Sequence, residues 1–418
     1  MLVKIFRKLT IAVTAFSLLS VAAWGQEAQQ KSPWKDRAEY DLYGSITKEQ
    51  DPAKKVQLLD TYMEKYPESQ FKLQAHLMYA LAYQSLKEPE KMYEAAENIL
   101  AIDPKNVQGL YFLTSLTASM AKTDAETLSK GEKAAKTLLT EVKALSKPDA
   151  MAQADWDKQR NGLLILGNQT LGWIAMTRKN NTEAEDYFTE VLEIDPANGQ
   201  VSYWLGTVIL AQRDPAKQSA AFYHFARAAA YDGEGAMEAG PRKEVDTYIR
   251  KIYTSFHGDD SGLEEMFASA AEEPFPPSGF TVKSAAVIAA EKDEALRKSN
   301  PKLYMWLNVK KSLTAPGGQE YFNTQVRNTA MPSMRGYLIA QSPENRPDTL
   351  VLGIEDRGTR EVTLKLDQAF RYPAGRGTVL NFQCVPQSFT QQPFNLGFSC
   401  EASNVSGWPP PPSRRPAR

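Results

Sequence analysis

Apolar residues recur at spacings of three and four over residues 34–271, with breaks at Pro, Gly or Asp-Pro. This periodicity predicts a long run of amphipathic helices. Two more helices are expected at about 284–299 and 301–313, within a helical extension over 280–316. Asn300 is expected to cap the second of them, with Pro301 as its first helical residue.

From Arg335 the period changes to two, which is typical of β-strands. Short strands of this kind predict a small five-stranded barrel over 334–402, for which an OB-like fold is the first choice. The tail at 403–418, rich in Pro and Arg, is expected to be disordered or polyproline II. The predicted strands are Arg335–Ala340, Thr349–Glu355, Glu361–Leu366, Thr378–Cys384 and Phe394–Cys400.

The helical part repeats itself. Gly172 and Gly206 lie 34 residues apart, and each follows a Leu. A small and an aromatic residue recur downstream of each Gly, Ala184 and Phe188 in one unit and Ala221 and Phe225 in the next, and Pro196 ends the first unit. This period and these residue types resemble the tetratricopeptide repeat (TPR). The resemblance is densest over 161–232, extends to 36–105, and covers about half of the chain.

The resemblance implies an α-solenoid of antiparallel helix hairpins, followed by the small β-domain. In a TPR the second, fifth, ninth and twelfth positions of the first helix line the concave face, which binds peptides. The residues expected there, and therefore expected to form a peptide-binding groove, are Phe112, Gln169, Trp173, Met176, Gln200 and Tyr203.

The first 25 residues have the pattern of a secretory signal. A positive stretch with Lys4 and Arg7 precedes an apolar run, and Ala23 and Gly25 stand where a cleavage site before Gln26 requires small residues. The run of about 15 apolar residues is shorter than the roughly 20 that span a bilayer. We therefore expect a signal peptide over 1–25, and a periplasmic or secreted protein with no stable membrane anchor after cleavage.

The residues for several kinds of chemistry are missing. The chain has three His and two Cys and contains no HExxH, CxxC pair, GxSxG or phosphate-binding glycine motif. The acidic cluster around Asp259 and Glu264 is explained by a helix start, with Ser261 and Glu264 as a capping box. The sequence therefore predicts no catalytic residue, no metal site and no cofactor.

Two opposing arguments concern Cys384 and Cys400. Export and the even number of cysteines favour a disulfide. If 378–384 and 394–400 are the two arms of one hairpin, however, the thiols lie about 20 Å apart, beyond the reach of a disulfide. On that geometry we expect two separate buried thiols, with the disulfide as the alternative.

These observations favour an exported scaffold that binds a protein or peptide partner in its groove and does no catalysis. The formal net charge of −1 gives no general attraction to nucleic acid. Two alternatives stay open. One is an oligosaccharide or nucleic-acid binder that uses the barrel, and the other is an enzyme with an unrecognised site.

Overall fold

The computed structural model describes residues 33–410 of the chain, so the predicted signal segment lies outside the described residues. The described part divides into two compact units. The helical unit ends at Val282, and the unit that begins at Lys283, here called the β unit, contains three helices and a sheet. No helix within residues 33–410 is long and apolar enough to cross a membrane.

The helical unit is a solenoid-like series of helices, each packed against its neighbours in sequence. Side chains cap several of these helices at their first turns: Asp51, Asn106, Asp124 and Asn198 each accept a backbone N–H bond. Its helices are α1 (Arg37–Lys48), α2 (Pro52–Lys65), α3 (Lys72–Leu86), α4 (Pro89–Ile102), α5 (Val107–Ser119), α6 (Ala125–Ala144), α7 (Gln153–Thr177), α8 (Asn181–Ile194), α9 (Gly199–Ala211), α10 (Gln218–Ala230), α11 (Ala239–His257) and α12 (Leu263–Glu272).

Small residues allow the helices of a hairpin to approach closely, as the repeat pattern predicts. A Cβ atom at Gly172 in α7 would lie 2.5 Å from the ring of Phe188 in α8. A Cβ at Gly206 in α9 would lie 3.1 Å from the carbonyl oxygen of Ala221 and 3.2 Å from the Phe225 ring in α10. The register of these two repeats is therefore confirmed.

The helical unit continues past α12. Phe280 and Val282 pack against the apolar cluster formed by α10, α11 and α12. The Val282 amide also donates a hydrogen bond of 2.9 Å to the Ser219 hydroxyl at the start of α10. Residues 280–282 thus belong to the first unit, whereas the two helices expected at about 284–299 and 301–313 are present and lie in the second.

The β unit begins with three helices, α13 (Ala285–Ser299), α14 (Pro301–Thr314) and the short α15 (Gly318–Tyr321), followed by a π-helical turn over Phe322–Val326. Asn300 caps α14 as predicted, accepting the Leu303 amide bond at 3.2 Å. Trp306 and Leu313 of α14 are fully buried in the cluster that forms the core of this unit, together with residues of the sheet.

The prediction of a closed, five-stranded barrel is wrong. Its seven strands follow the order β5-β6-β3-β2-β1-β4-β7, and the two edges do not pair, so the sheet is open. All neighbouring strands are antiparallel except β3 and β6, which are parallel. The strands are β1 (Met334–Ser342), β2 (Thr349–Gly353), β3 (Val362–Leu366), β4 (Val379–Phe382), β5 (Val385–Thr390), β6 (Asn395–Cys400) and β7 (Val405–Ser406).

The sequence pattern missed β5 and β7. Strand β5 carries Pro386 and is largely polar, which weakens its alternation and suits an edge position. Strand β7 has two residues and lies in the tail that was predicted to be disordered, yet Val405 pairs with Phe382. The Trp408 ring then stacks on Phe370 at a centroid distance of 4.1 Å. For residues 403–408 the prediction of a disordered tail is therefore wrong.

The expectation of two free thiols is also wrong, because Cys384 and Cys400 form a disulfide with their Cα atoms 4.9 Å apart. The partner of β6 in the hairpin is β5, not β4. Val385 pairs with Ser399, so Cys384 and Cys400 lie side by side at the end of that hairpin. The assumed hairpin of 378–384 with 394–400 placed them at opposite ends.

Candidate functional site

Four hairpins, α3–α4, α5–α6, α7–α8 and α9–α10, follow one another in the middle of the helical unit. We call the residues at the second, fifth, ninth and twelfth repeat positions of these first helices the uncharged row. The row consists of Gln74, Leu77, Leu81 and Gln84 in α3, Gly109, Phe112, Leu116 and Ser119 in α5, Leu166, Gln169, Trp173 and Met176 in α7, and Gln200, Tyr203, Thr207 and Leu210 in α9.

Helix α9 shows the row most clearly. Gln200, Tyr203, Thr207 and Leu210 are partly exposed, whereas every other residue from 199 to 209 is buried. Their spacing of three and four places them on one side of the helix. The repeat pattern predicted two of these residues, Gln200 and Tyr203, as groove residues, and the structure leaves both accessible.

In α7 only some of the row residues are accessible to solvent. Gln169 and Met176 are partly exposed, as the prediction requires. Trp173 is only 4% exposed and packs in a small cluster with Ala118 and Leu128. Its large ring is covered by the neighbouring hairpin, so the prediction of Trp173 as an exposed groove anchor is wrong.

In α5 three of the four row residues are buried. Phe112 is 5% exposed and belongs to the main apolar cluster of the helical unit, and Leu116 is equally buried. Almost all of α5 is buried, because it packs against α4, α6 and α7. Phe112 is therefore a core residue, and its prediction as a groove residue is wrong as well.

Helix α3 carries row residues that the prediction omitted. Leu81 is 50% exposed, and Leu77 and Gln84 are partly exposed. A signal for them was present in the sequence. Tyr79-Ala80 aligns with Leu171-Gly172, which places Leu81 at the ninth position, equivalent to Trp173.

A second tyrosine lies close to the α9 face. The Phe225 ring contacts Tyr203 edge-on at 5.8 Å and Tyr248 of α11 at 5.2 Å. Tyr248 is 41% exposed, and partial burial, together with the proximity of Tyr203, raises its pKa. No sequence signal pointed to Tyr248, because α11 lacks the repeat signature.

The electrostatics of the two sides of the hairpins differ. Twelve of the row's sixteen members are at least partly exposed and none of the twelve is charged, although 24% of the chain is charged and about three would be expected at that frequency. The second helices, in contrast, are joined by ion pairs. Lys130 of α6 lies 2.6 Å from Glu97 of α4, and Lys217 beside α10 lies 2.6 Å from Glu185 of α8.

One polar atom of the row is buried without a partner. Gln200 Nε2 is inaccessible to solvent and has no hydrogen-bond acceptor among the described residues. Further along α9, the Thr207 hydroxyl donates to the Tyr203 carbonyl at 2.8 Å, and Gln212 Nε2 donates to Glu185 at 2.5 Å. The Gln200 amide is therefore an unused donor at the start of the α9 face.

Outside the row, the acidic cluster near Asp259 has structural partners. Glu264 forms an ion pair with Arg250, which lowers the pKa of the Glu264 carboxyl. The expected capping box is wrong, because α12 starts after Gly262 and no side chain caps it. Within residues 33–410, no three His, Cys, Asp or Glu side chains are grouped so that they would hold a metal ion.

Comparisons with known proteins identify part of this region. Residues 167–198, which run from the middle of α7 through α8 to the cap of α9, match the family model of the tetratricopeptide repeat. No curated protein matches the chain.

Among solved structures, the chain is similar to a thermophilic TPR protein from Thermus thermophilus. The identity is 13%, the match covers 51% of this chain and 95% of that one, and the TM-score is 0.25. The family-model match covers one repeat-length stretch, residues 167–198, within a longer run of helix hairpins.

Proposed function

We propose that this chain is an exported, non-catalytic TPR scaffold that holds a protein or peptide partner against the uncharged row. TPR repeats generally mediate protein–protein interactions. The observation that carries the proposal is the α9 face, where Gln200, Tyr203, Thr207 and Leu210 form one accessible side of an otherwise buried helix. Solenoids bind partners on such extended faces.

Two features support export. The segment 1–25 has the composition of a signal peptide. The disulfide between Cys384 and Cys400 uses both cysteines of the chain, and such bonds persist in oxidising compartments such as the periplasm or the extracellular space. Both lead to the same expected location.

The rival function is binding of an oligosaccharide or nucleic acid by a closed barrel. It is less well supported, because the sheet is open and forms no barrel. Of its three aromatic candidates, Phe370 and Tyr337 have ring contacts within the β unit, whereas Tyr372 is 43% exposed. Phe370 stacks on Trp408, and the guanidinium of Arg357 lies over the Tyr337 ring at 5.1 Å. We therefore assign partner binding to the helical unit.

A photo-crosslinking amino acid placed at Thr207 tests this assignment. The matched control is the same amino acid at Thr140, an exposed threonine on α6, a second helix. The variants are expressed in the source cells, irradiated, and the crosslinked proteins are identified by mass spectrometry. We expect a defined protein adduct at Thr207 that is absent at Thr140.

Equal adducts at both positions, or none at Thr207, would contradict the assignment of partner binding to the helical unit.

The intact mass of the purified protein tests export. Cleavage after Gly25 gives a chain that starts at Gln26, and retention of the first 25 residues would contradict export.

A further inference from the structure

We propose that Asn180 is a glycosylation site, at which an oligosaccharide is attached to the side-chain nitrogen Nδ2. The proposal rests on the export that belongs to the proposed function, because sugars of this kind are carried on the surfaces of secreted proteins. Three observations carry it: the acceptor motif that begins at Asn180, the exposure of that motif, and the capping position that the Asn180 side chain leaves unused.

The acceptor motif for Asn-linked sugars is Asn-x-Ser/Thr, in which x is not Pro. The chain contains this motif at three places, which begin at Asn168, Asn180 and Asn404. The motif is short and also arises by chance. The position of each copy in the fold therefore decides which of them can carry a glycan.

Two of the three copies lie in unsuitable surroundings. Asn168 is in the middle of α7 and is 2% exposed, so the folded helical unit has no room for a bulky sugar there. Asn404 is exposed, but the middle residue of its motif, Val405, is 6% exposed and belongs to the core cluster of the β unit. Val405 also pairs with Phe382 in the sheet. A transferase that binds this tripeptide would have to pull Val405 out of the core.

The copy at Asn180 lies at the surface, where α7 turns into α8. Asn180 and Thr182 are both exposed, and Asn181 between them is only half-buried. The backbone hydrogen bonds of Asn180 stay within its own hairpin: its amide donates to the Ala175 carbonyl at 2.8 Å, and its carbonyl accepts the Ala184 amide at 3.0 Å. A transferase can therefore bind this tripeptide after fraying of the first turn of α8 alone.

The side chain of Asn180 has no capping role. Asn180 precedes α8 at the N-cap position, where an Asn side chain commonly accepts a backbone amide bond of the first turn. Asn106 before α5 and Asn198 before α9 each do so, at 3.1 Å. The Asn180 side chain caps nothing. Its amide group can therefore be glycosylated without the loss of a hydrogen bond that holds the helix.

The substrate class follows from the chemistry of the linkage. The donor is an oligosaccharide joined through C1 of its first sugar to a lipid diphosphate. Asn180 Nδ2 forms a bond to that C1, while the bond between C1 and the diphosphate oxygen breaks and the lipid diphosphate leaves. Nδ2 gives up one proton to a base of the transferase, and no oxidant or reductant takes part. The Thr182 hydroxyl completes the motif that the transferase recognises.

The experiment measures the intact mass of the chain purified from the envelope or the medium of the source cells. We expect a mass that exceeds that of the polypeptide 26–418 by roughly 1 kDa or more, the mass of one oligosaccharide. Fragmentation of the proteolytic peptide that contains Asn180 should yield sugar ions and locate the added mass on this residue.

Four variants test the motif. Asn180→Gln removes the acceptor and Thr182→Ala removes the hydroxyl, so both should lack the added mass. Both positions are exposed and Asn180 caps nothing, so the melting temperature should be unchanged. Thr182→Ser keeps a hydroxyl and should keep the glycan. Asn404→Gln, which removes the other exposed acceptor, is the matched control and should also keep it.

The outcomes separate this inference from export. A chain that begins at Gln26 and has no added mass, or a glycan that persists in Asn180→Gln or Thr182→Ala, overturns the inference while export stands. A chain that retains its first 25 residues contradicts both. Added mass that is lost in Asn180→Gln and Thr182→Ala but not in Asn404→Gln, on a chain that begins at Gln26, supports both.

Discussion

In the helical unit, helices pack against their neighbours in sequence, so that α3 contacts α4, α4 contacts α5, and the series continues to α10. In the β unit, strands that are distant in sequence pair, and β1 lies between β2 and β4 while β3 pairs with β6. A change in the first unit therefore removes contacts between adjacent hairpins, whereas a change in the second affects pairings that hold several strands together. The difference predicts that a destabilising substitution loosens only the adjacent hairpins in the helical unit, but the whole sheet in the β unit.

The buried Glu361 gives the largest expected effect. Glu361 is 1% exposed, accepts a bond of 2.6 Å from Lys310 of α14, and accepts the amide bonds of Ile354 and Glu355 at 2.7 and 2.9 Å. Glu361→Ala should lower the free energy of unfolding of the β unit by about 3–5 kcal/mol, because it leaves the two buried amides without their acceptor and Lys310 with Glu355 alone. Urea unfolding followed by tryptophan fluorescence measures the loss.

Glu355→Ala is the matched control. Glu355 is much more exposed, also pairs with Lys310, and should contribute no more than about 1 kcal/mol. Hydrogen exchange measured by mass spectrometry should show faster exchange throughout the β unit in Glu361→Ala. Faster exchange confined to the turn between β2 and β3 would contradict the comparison, since damage would then stay local in both units.

Acid should affect the two units over different pH ranges. Burial lowers the pKa of His224 to about 4 from its ordinary 6.5, so the folded helical unit excludes a proton that the unfolded chain binds. Its stability should fall by about 3 kcal/mol as the pH drops from 6.5 to 4. Burial alone would raise the pKa of the Glu361 carboxyl, but the hydrogen bonds from Lys310 and two backbone amides outweigh burial and lower this pKa. The Glu361 carboxylate therefore stabilises the β unit at a pH above 4.5, its ordinary pKa, and this stabilisation is lost as the pH falls below that value.

The measurement is hydrogen exchange of each unit at several pH values, compared with the variant His224→Phe, which cannot titrate. In the variant, the loss of helical-unit stability between pH 6.5 and 4 should be reduced by about 3 kcal/mol. An unchanged pH profile in His224→Phe would mean that other groups account for the acid sensitivity.

Reduction of the disulfide should destabilise one unit only. Cys384 and Cys400 are the only cysteines of the chain, and both lie in the β unit. The loop-entropy model gives a loss of about 3 kcal/mol for a separation of 16 residues. Urea unfolding of the double variant Cys384→Ser/Cys400→Ser, with hydrogen exchange to resolve the units, should show the loss in the β unit and none in the helical unit. Free thiols in the denatured wild-type protein would show that the bond is absent.

Two glycines of α7 provide the smallest and most local test. Gly172→Ala places a Cβ 2.5 Å from the Phe188 ring and should cost about 1–3 kcal/mol as overpacking. Gly162→Ala meets no atom within 4 Å and should stabilise by about 0.5–1 kcal/mol, because Ala favours the helix. Exchange rates should change only in the hairpins next to α7. Equal effects of the two changes would contradict the packing assigned to Gly172.

Much of the helical unit could be predicted because its determinants are local. The 34-residue spacing of Gly172 and Gly206, and the aromatic residues that follow each of them, depend on contacts within one hairpin or between adjacent hairpins. Five of the strands were found from their alternation, while β5 and β7 were missed because Pro386 and the shortness of β7 remove that signal. In the helical unit, the position of each residue within its repeat was available from the sequence.

The sequence by itself determined the helix hairpins, their period, and the four positions that form the row, because helical periodicity places those residues on one side of each helix. Only the tertiary structure decided which of them are accessible. Phe112 and Trp173 occupy row positions but are covered by neighbouring helices, while Tyr203 and Leu81 are not, since coverage depends on the packing of whole hairpins. The disulfide was decided in the same way: Cys384 meets Cys400 because β5, and not β4, pairs with β6, and strand pairing depends on contacts that no local pattern specifies.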